Sequence, residues 1–466
     1  MNSLSFYRIL AKNSLLFAIG SFSSRAVTFF LLPFYTYYLT PDEFGKIDVL
    51  LTTILLLIPL ISLHAMEMVF RFAMDSNKSL SSTLMNGLFF CIIGFSVLVF
   101  FTPLIVRVEF IAPFVILFLS AFFFTMVDGV CQQFARGIGK IKYYVISEII
   151  YTSIFALSNI ILIAFMSMGI NGYLISITLG HFISILFLFI FSGIAAHFSI
   201  RSVDPSLFKP MILYSLPLIP TAIMWWIMNV SNRYFISYFM DFESTGIFAV
   251  ASKIPVIMIT LNMIIFRAWQ ISAIEAYSKP GFQERFTNIY NTLSFFLVGC
   301  ISIIIIFIKP FFLFIIAEEY YSAWKYVPFL LIGVFFSALS NFWGVIYIAS
   351  KKTIGALLST GPGAIINIIL NIVLISTIGI YGAVVATIFA YFVMWVFRYL
   401  HIKSSANLAV NKLPTIFNLL LVFIQIYILF KIDNSSRLYF YQTSIFIILI
   451  LSNYKTILKS SQILRA

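Results

Sequence analysis

The chain has 466 residues, is 62% hydrophobic and only 10% charged, and has a mean hydropathy of +1.06, a composition that excludes a water-soluble globular domain. A formal charge of +13 raises the question of nucleic acid, but the basic residues are scattered between apolar runs, with no soluble basic domain or stripe to carry such a function. What remains is an all-α polytopic membrane protein.

Fourteen runs of about 20 apolar residues follow one another, each long enough as a helix to cross a hydrocarbon layer of about 30 Å. Their predicted extents are 14–38, 47–69, 84–105, 110–134, 143–167, 171–196, 211–239, 247–270, 290–316, 326–349, 354–375, 380–400, 413–430 and 438–454. Runs such as "ISIIIIFIKPFFLFII" are apolar on every face, which excludes the period-2 alternation of a membrane barrel.

The first run follows Arg8 and Lys12 as a signal peptide would, but no small-residue cleavage site follows it, so it is expected to remain as a helix. Its core carries Arg25, about 16 to 20 Å from either edge and too deep to snorkel. An ionisable group there costs at least about 2.5 kcal/mol, so Arg25 is expected to face a water-filled cavity, the alternative being a carboxylate on another helix. In the second run Glu67 precedes Arg71 by one turn, the spacing of an ordinary helical ion pair. Asp128 and Glu148, near the ends of the fourth and fifth runs, are candidates to bind a coupling proton or sodium ion; structural pairing is the ordinary reading of both.

Later runs add further candidates. Trp225 and Trp226 in the seventh can stack on sugar rings, although such residues are usually lipid-facing or interfacial. Arg233 and Lys253 each sit about 9 Å from the ends of consecutive helices, where they either form one cationic vestibule or anchor the helices at the interface. Lys309, before Pro310, reads as an anchor. Pro33, Pro59, Pro217, Pro220, Pro255, Pro310 and Pro362 lie inside runs, and "GPG" at Gly361 is expected to loosen the eleventh helix most. Cys91, Cys131 and Cys300 are isolated, and the four histidines are scattered, without metal-ligand spacing.

Assigning alternate loops to opposite sides puts 20 of the 29 Lys and Arg on one side, Arg398 among them, and five on the other. By the positive-inside rule both termini are expected in the cytoplasm. The sequence also repeats itself. "GINGYLISITLGHF" at Gly169 and "GIYGAVVATIFAYF" at Gly379 lie 210 residues apart; "NIILI" at Asn159 and "NIVLI" at Asn371 precede them at an offset of 212. "YYLTPDEFGKI" at Tyr37 and "SYFMDFESTGIF" at Ser237 echo each other earlier in each half. Three echoes in one order argue for duplication, and six helices between equivalent points make the copies parallel in the membrane. The expected organisation is a six-helix lobe in residues 1–200, a second six-helix lobe in 201–404, and two additional helices in 405–466.

Three passages carry a family resemblance: "LPLIPTAIMWWIMNVSNRYFISYFMDFESTGIFAVASK" from Leu216, "EEYYSAWKYVPFLLIGVFF" from Glu318, and "KKTIGALLSTGPGAIINIILNIVLISTIGIYGAVVATIFAYF" from Lys351. They resemble the bacterial polysaccharide flippases of the Wzx O-antigen type, in the multidrug/oligosaccharidyl-lipid/polysaccharide exporter superfamily. The resemblance implies a twelve-helix core in two lobes, often with two extra C-terminal helices. It implies a bacterial inner-membrane transporter that moves an undecaprenyl-pyrophosphate-linked oligosaccharide from the cytoplasmic to the periplasmic leaflet, not an enzyme. Contacts with a polysaccharide polymerase and a chain-length regulator come with it. One departure stands out: Asn232-Arg233 occupies a position where many relatives have Asp-Arg.

The same requirement follows from chemistry, because a pyrophosphate cannot cross hydrocarbon bare. Arg25, Arg233 and Lys253 are the cations expected to hold it in a central cavity between alternately opening lobes. No phosphate-binding loop of the form G-x-x-x-x-G-K-[ST] is present, so ATP is not expected as the direct driver and no cofactor is expected beyond H+ or Na+ as a coupling ion. The alternatives are a small-molecule exporter of the multidrug and toxin extrusion (MATE) type, disfavoured by a deep arginine that repels cationic drugs, a membrane polysaccharide polymerase, and a scaffold within an assembly complex. The longest predicted connection, about twenty residues from Ile271 to Ile289, is short for an enzyme.

Overall fold

The structure is a computed structural model that describes residues 26, 27, 29–75, 79–277, 279–350, 354–406, 408, 410, 412–432, 434–454, 456 and 458. Among the described residues the secondary structure is helical, with no strand. The chain forms two compact units, Met1–Trp226 and Ile227–Ala466.

In the first unit the helices are α1 (Pro41–Ile61), α2 (Ala65–Ala73), α3 (Leu80–Phe100), α4 (Val115–Gly137), α5 (Ile141–Asn159), α6 (Gly169–Phe191), α7 (Phe208–Ser215) and α8 (Leu218–Val230), the last continuing past the unit boundary. Residues 29–38 are also helical, the described end of the first predicted run. The second unit holds α9 (Asn232–Phe239), α10 (Phe242–Ala276), α11 (Phe282–Ile315), α12 (Val327–Ala349), α13 (Ile354–Ile378), α14 (Ile380–Ala406), α15 (Leu413–Lys431) and α16 (Ser435–Ser452).

Eleven of the described helices are long and apolar enough to cross a membrane, and Pro205–Ser215 with Leu218–Val230 makes a twelfth, bent by 43°. With the first run and α16, all fourteen predicted segments correspond to helices or, for most of the first, to residues outside those described. Many large apolar side chains stay exposed on these helices, as a lipid-facing surface requires, while a packed core of Phe, Tyr, Trp and aliphatic residues lies within each unit.

Four details depart from the sequence expectations. The second run breaks: α1 begins early, at Pro41, and ends at Ile61, and Leu63 and His64 take left-handed backbone angles before α2. Ser62 bridges the break, its hydroxyl donating to Ile58 O at 2.7 Å and accepting from Ala65 N at 3.3 Å. Among the described residues the ion pairs are Asp42–Lys46 and Asp128–His181, so the expected Glu67–Arg71 pair is not formed. The sharp bend lies at Pro217, whereas α13 runs through Pro362 without a break. Finally, α10 continues to Ala276 and α11 starts at Phe282, so the long loop predicted there shrinks to a turn through Gly281.

The internal repeat is visible in backbone geometry. Thr40 caps α1 by accepting from Glu43 N, and Asp241 caps α10 by accepting from Ser244 N, with cap and donor alike 201 residues apart. Gly169 and Gly379 both turn the chain with positive φ, +48° and +60°, a conformation that costs any residue with a Cβ about 1 kcal/mol or more. Three residues on, Gly172 and Gly382 let the new helix cross tightly over its predecessor, against Leu162 and Leu374 respectively. Asn159 and Asn371, fully buried, each donate to the carbonyl one turn back, Phe155 O and Asn367 O, at 2.7 and 2.8 Å.

The last two helices hold each other through amides. Gln442 Nε2 donates to Gln425 O at 2.8 Å and Gln425 Nε2 returns a bond to Gln442 O at 3.3 Å. Asn418 and Asn453 exchange side-chain bonds of 3.1 and 2.8 Å. The hairpin packs on α11, where Ser294 Oγ donates to Thr415 Oγ1 at 3.3 Å.

Candidate functional sites in the two units

Polar side chains buried in membrane helices need partners, and beside the hairpin amides three clusters of them lie among the described residues. The first lies within unit one. Asp128 on α4 is 1% exposed, and Oδ2 lies 2.8 Å from Nδ1 of His181 on α6. Ser184, almost one turn further along α6, donates to Oδ1 at 2.8 Å, and Gln132 Nε2 donates to Oδ2 at 3.0 Å. The ring of Tyr151 from α5 stacks on the imidazole at 4.1 Å and 22°. Two glycines beside the pair bring the helices close: Gly180 leaves room for Tyr151, and Gly129 for Met66 of α2.

The second cluster belongs to unit two and is made of amides and hydroxyls. Asn232 Nδ2 donates to Thr387 Oγ1 at 2.7 Å, and Asn371 Nδ2 donates to Asn232 Oδ1 at 2.8 Å and Asn367 Oδ1 at 3.0 Å. Ser231 Oγ reaches Asn367 Oδ1 at 3.4 Å, and Tyr391 Oη donates to Asn229 Oδ1 at 2.7 Å. At the positions that the repeat offsets make equivalent in unit one stand Phe155 for Asn367 and Ile177 for Thr387. Of these three positions only Asn371 has its like in unit one, Asn159, so the polar interiors of the two units differ.

The third cluster centres on Arg398, 4% exposed inside α14. Nε donates to Ser359 Oγ at 2.9 Å, Nη1 to Ser340 O at 3.0 Å and Asn341 Oδ1 at 3.4 Å, and Nη2 to Thr360 Oγ1 at 3.2 Å. Gly344 leaves space for the guanidinium, since a Cβ there would lie 2.7 Å from Nη1. The sequence reading counted Arg398 among loop cations because it falls near the end of an apolar run. The signal for burial was that the apolar pattern continues past it as "YLHI". Arg398 ties α12, α13 and α14 together by neutral acceptors.

The predicted site residues fall as follows. Arg25 lies outside the described residues. Arg233, on α9, donates from Nη1 to Asn229 O at 2.9 Å and sets its guanidinium 5.1 Å from the ring of Phe248 on α10, a cation–π contact. Lys253 is half-buried further along α10. Trp225 and Trp226 are half-buried on α8, and Trp226 Nε1 donates to Thr52 O of α1 at 2.8 Å, which fixes that ring within unit one. Glu148 accepts from Tyr144 Oη at 2.8 Å along its own helix. Lys309 lies 4.7 Å from the Trp324 ring. The association that sequence reasoning missed is Asp128 with His181, 53 residues apart and on different helices.

Comparison with known proteins bears on the whole chain. No curated protein matches it significantly by sequence. By fold it is similar to the solved structure described as "Lipid II flippase MurJ, inward closed conformation", with TM-score 0.74 and 16% identity over 96% of this chain and 100% of that one. It is also similar to an inward-facing multidrug resistance MATE transporter of the MOP superfamily, with TM-score 0.66 and 14% identity over 83% of this chain and 98% of the other. A MATE protein in the straight conformation gives TM-score 0.59 and 14% identity over 84% and 95%. At these identities the likeness establishes the fold alone: a multi-pass helical membrane protein folded like these structures. Residues 10–270, more than half of the chain, match the family described as polysaccharide biosynthesis protein, and to that family the chain belongs.

Proposed function

We propose that this protein is a flippase that carries an undecaprenyl-pyrophosphate-linked oligosaccharide, an O-antigen or capsule repeat unit, across the bacterial inner membrane to the periplasmic leaflet. The observation that carries the reading is the joint one: membership of a polysaccharide biosynthesis family in a chain folded from end to end like a lipid flippase. The two halves alternate in exposing a cationic path to either side, with Arg25, Arg233 and Lys253 passing the diphosphate along. Several weak cationic contacts suit transport better than one tight site: a single pair at 4 Å is worth about 4 kcal/mol before desolvation, and several at once would trap the substrate. Trp225 and Trp226 supply stacking surfaces for sugar rings. An inside-negative potential assists an anionic headgroup outward by about 2.3 kcal/mol per charge per 100 mV. Both termini lie in the cytoplasm, and a polymerase and chain-length regulator receive the product.

The test is deletion of the gene followed by leaflet assignment of lipid-linked oligosaccharide. Accumulation on the cytoplasmic face with loss of surface polysaccharide is the expected result. Normal surface polysaccharide in the deletion strain refutes the reading. The fold shared with multidrug transporters supports a second reading, export of small molecules, which predicts instead that deletion sensitises cells to cationic drugs with surface polysaccharide unchanged.

A further inference from the structure

We infer that Asp128 and His181 form a proton-binding site inside unit one, and that the proton it carries is the coupling ion of transport. The inference rests on the transporter reading above for its second half only.

Burial decides what the pair can hold. The carboxylate is 1% exposed, and its neighbours on each oxygen are neutral donors, Ser184 and Gln132, apart from the imidazole itself. A structural ion pair in such a place would use arginine, whose charge is permanent. Here the partner is the one side chain whose charge changes near neutrality. With neutral imidazole donating from Nδ1 to Oδ2, the cluster carries one uncompensated negative charge among apolar helices. One proton added at Nε2 converts it to a carboxylate–imidazolium pair of zero net charge, and loss of the same proton restores the first state. No other bond is made or broken. The imidazole is 13% exposed where the carboxylate is 1%, so the ring is the route by which the proton enters.

The surrounding groups leave this pair as the titrating unit. Facing Asp128 are Tyr151 from α5 and Cys131 along α4 itself, with Cys91 of α3 beside Cys131, none of which is charged near neutral pH. From α2 the packing residue is Met66, beside Gly129; that helix also carries half-buried Glu67, which faces His64, and exposed Arg71. Asp48 of α1 faces Tyr173. A metal ion suits the cluster poorly: hard cations need six or more oxygen ligands, whereas three hydrogen-bond donors already occupy the carboxylate. Among the described residues no group of three or more His, Cys, Asp or Glu could hold a metal.

Two measurements on the full chain test the site. In nanodiscs, infrared and 15N-histidine titration should show one coupled carboxylate–imidazole transition in the wild type that is lost in Asp128→Asn and in His181→Gln. In vesicles loaded with undecaprenyl-pyrophosphate-linked oligosaccharide and held at zero potential, flipping should respond to an imposed pH gradient by up to about tenfold per pH unit, the change in proton activity. Both variants should lose that response, their rates with and without gradient becoming equal. Retention of the response in either folded variant, or its absence in a wild type that flips lipid, overturns the coupling role. Should the wild type flip no lipid at all, the transport reading falls, and the nanodisc titration still decides the proton site: no Asp128-dependent transition refutes it.

Discussion

Gly382 offers the sharpest test of the packing. A Cβ placed there would meet the Leu374 carbonyl carbon and lie 2.5 Å from both Leu374 O and Ile375 N, backbone atoms that no rotamer change can move aside. The methyl group of alanine therefore has to push α14 off α13, the pair of helices in most extensive contact. Real contacts require more than 3.0 Å, so a helix shift of at least about 0.5 Å is needed, and overpacking of this kind costs about 1–3 kcal/mol. At Gly172, its counterpart in unit one, the nearest atoms are 3.1 and 3.2 Å away, so the same substitution should cost about 1 kcal/mol or less. Gly299 in α11 has nothing within 4 Å and serves as the control, where alanine should stabilise by about 0.5–1 kcal/mol through helix propensity. Thermal unfolding of the three variants in detergent should rank Gly299→Ala above wild type, Gly172→Ala slightly below it and Gly382→Ala lowest, by about 1–3 °C. Equal melting temperatures for the Gly172 and Gly382 variants would refute the claim that the crossing is set by backbone contact.

Two further outcomes are expected. Arg398→Lys keeps the charge but cannot reach acceptors on α12 and α13 together, so it should lower the melting temperature by the equivalent of about 1–3 kcal/mol, read in the same assay. Asn418→Leu alone should cost about 1–3 kcal/mol by leaving Asn453 Oδ1 without its donor, and the Asn418→Leu, Asn453→Leu double variant should lose less than the sum; additivity in the double-mutant cycle would contradict the reciprocal pairing.

Much of this architecture was legible because a bilayer imposes a blunt length rule. Each apolar run had to be a helix, and the echoes at Gly169 and Gly379 marked where equivalent helices begin. The backbone angle at those two glycines is the physical content of the repeat. The interior was less legible, because hydropathy registers that a residue is polar without saying which helix supplies its partner. Asp128 and His181 were both noticed, yet nothing in their spacing joined them. Arg398 was misassigned for a related reason: at the end of a run, sequence alone cannot separate a cation that emerges into water from one that turns inward to Ser359 and Ser340. Proline misled in one place and informed in another, since one helix continues through Pro362 whereas the chain bends by 43° at Pro217.

The reciprocal amides of the C-terminal hairpin carry a consequence for biogenesis. Gln425 with Gln442, and Asn418 with Asn453, bond across the two helices of the hairpin. Released singly from the insertion machinery, either helix would present bare amides to lipid tails. The two must therefore partition as one preassembled object, and a nascent chain halted after Lys431 should linger at the translocon until Ser435–Ser452 has been synthesised.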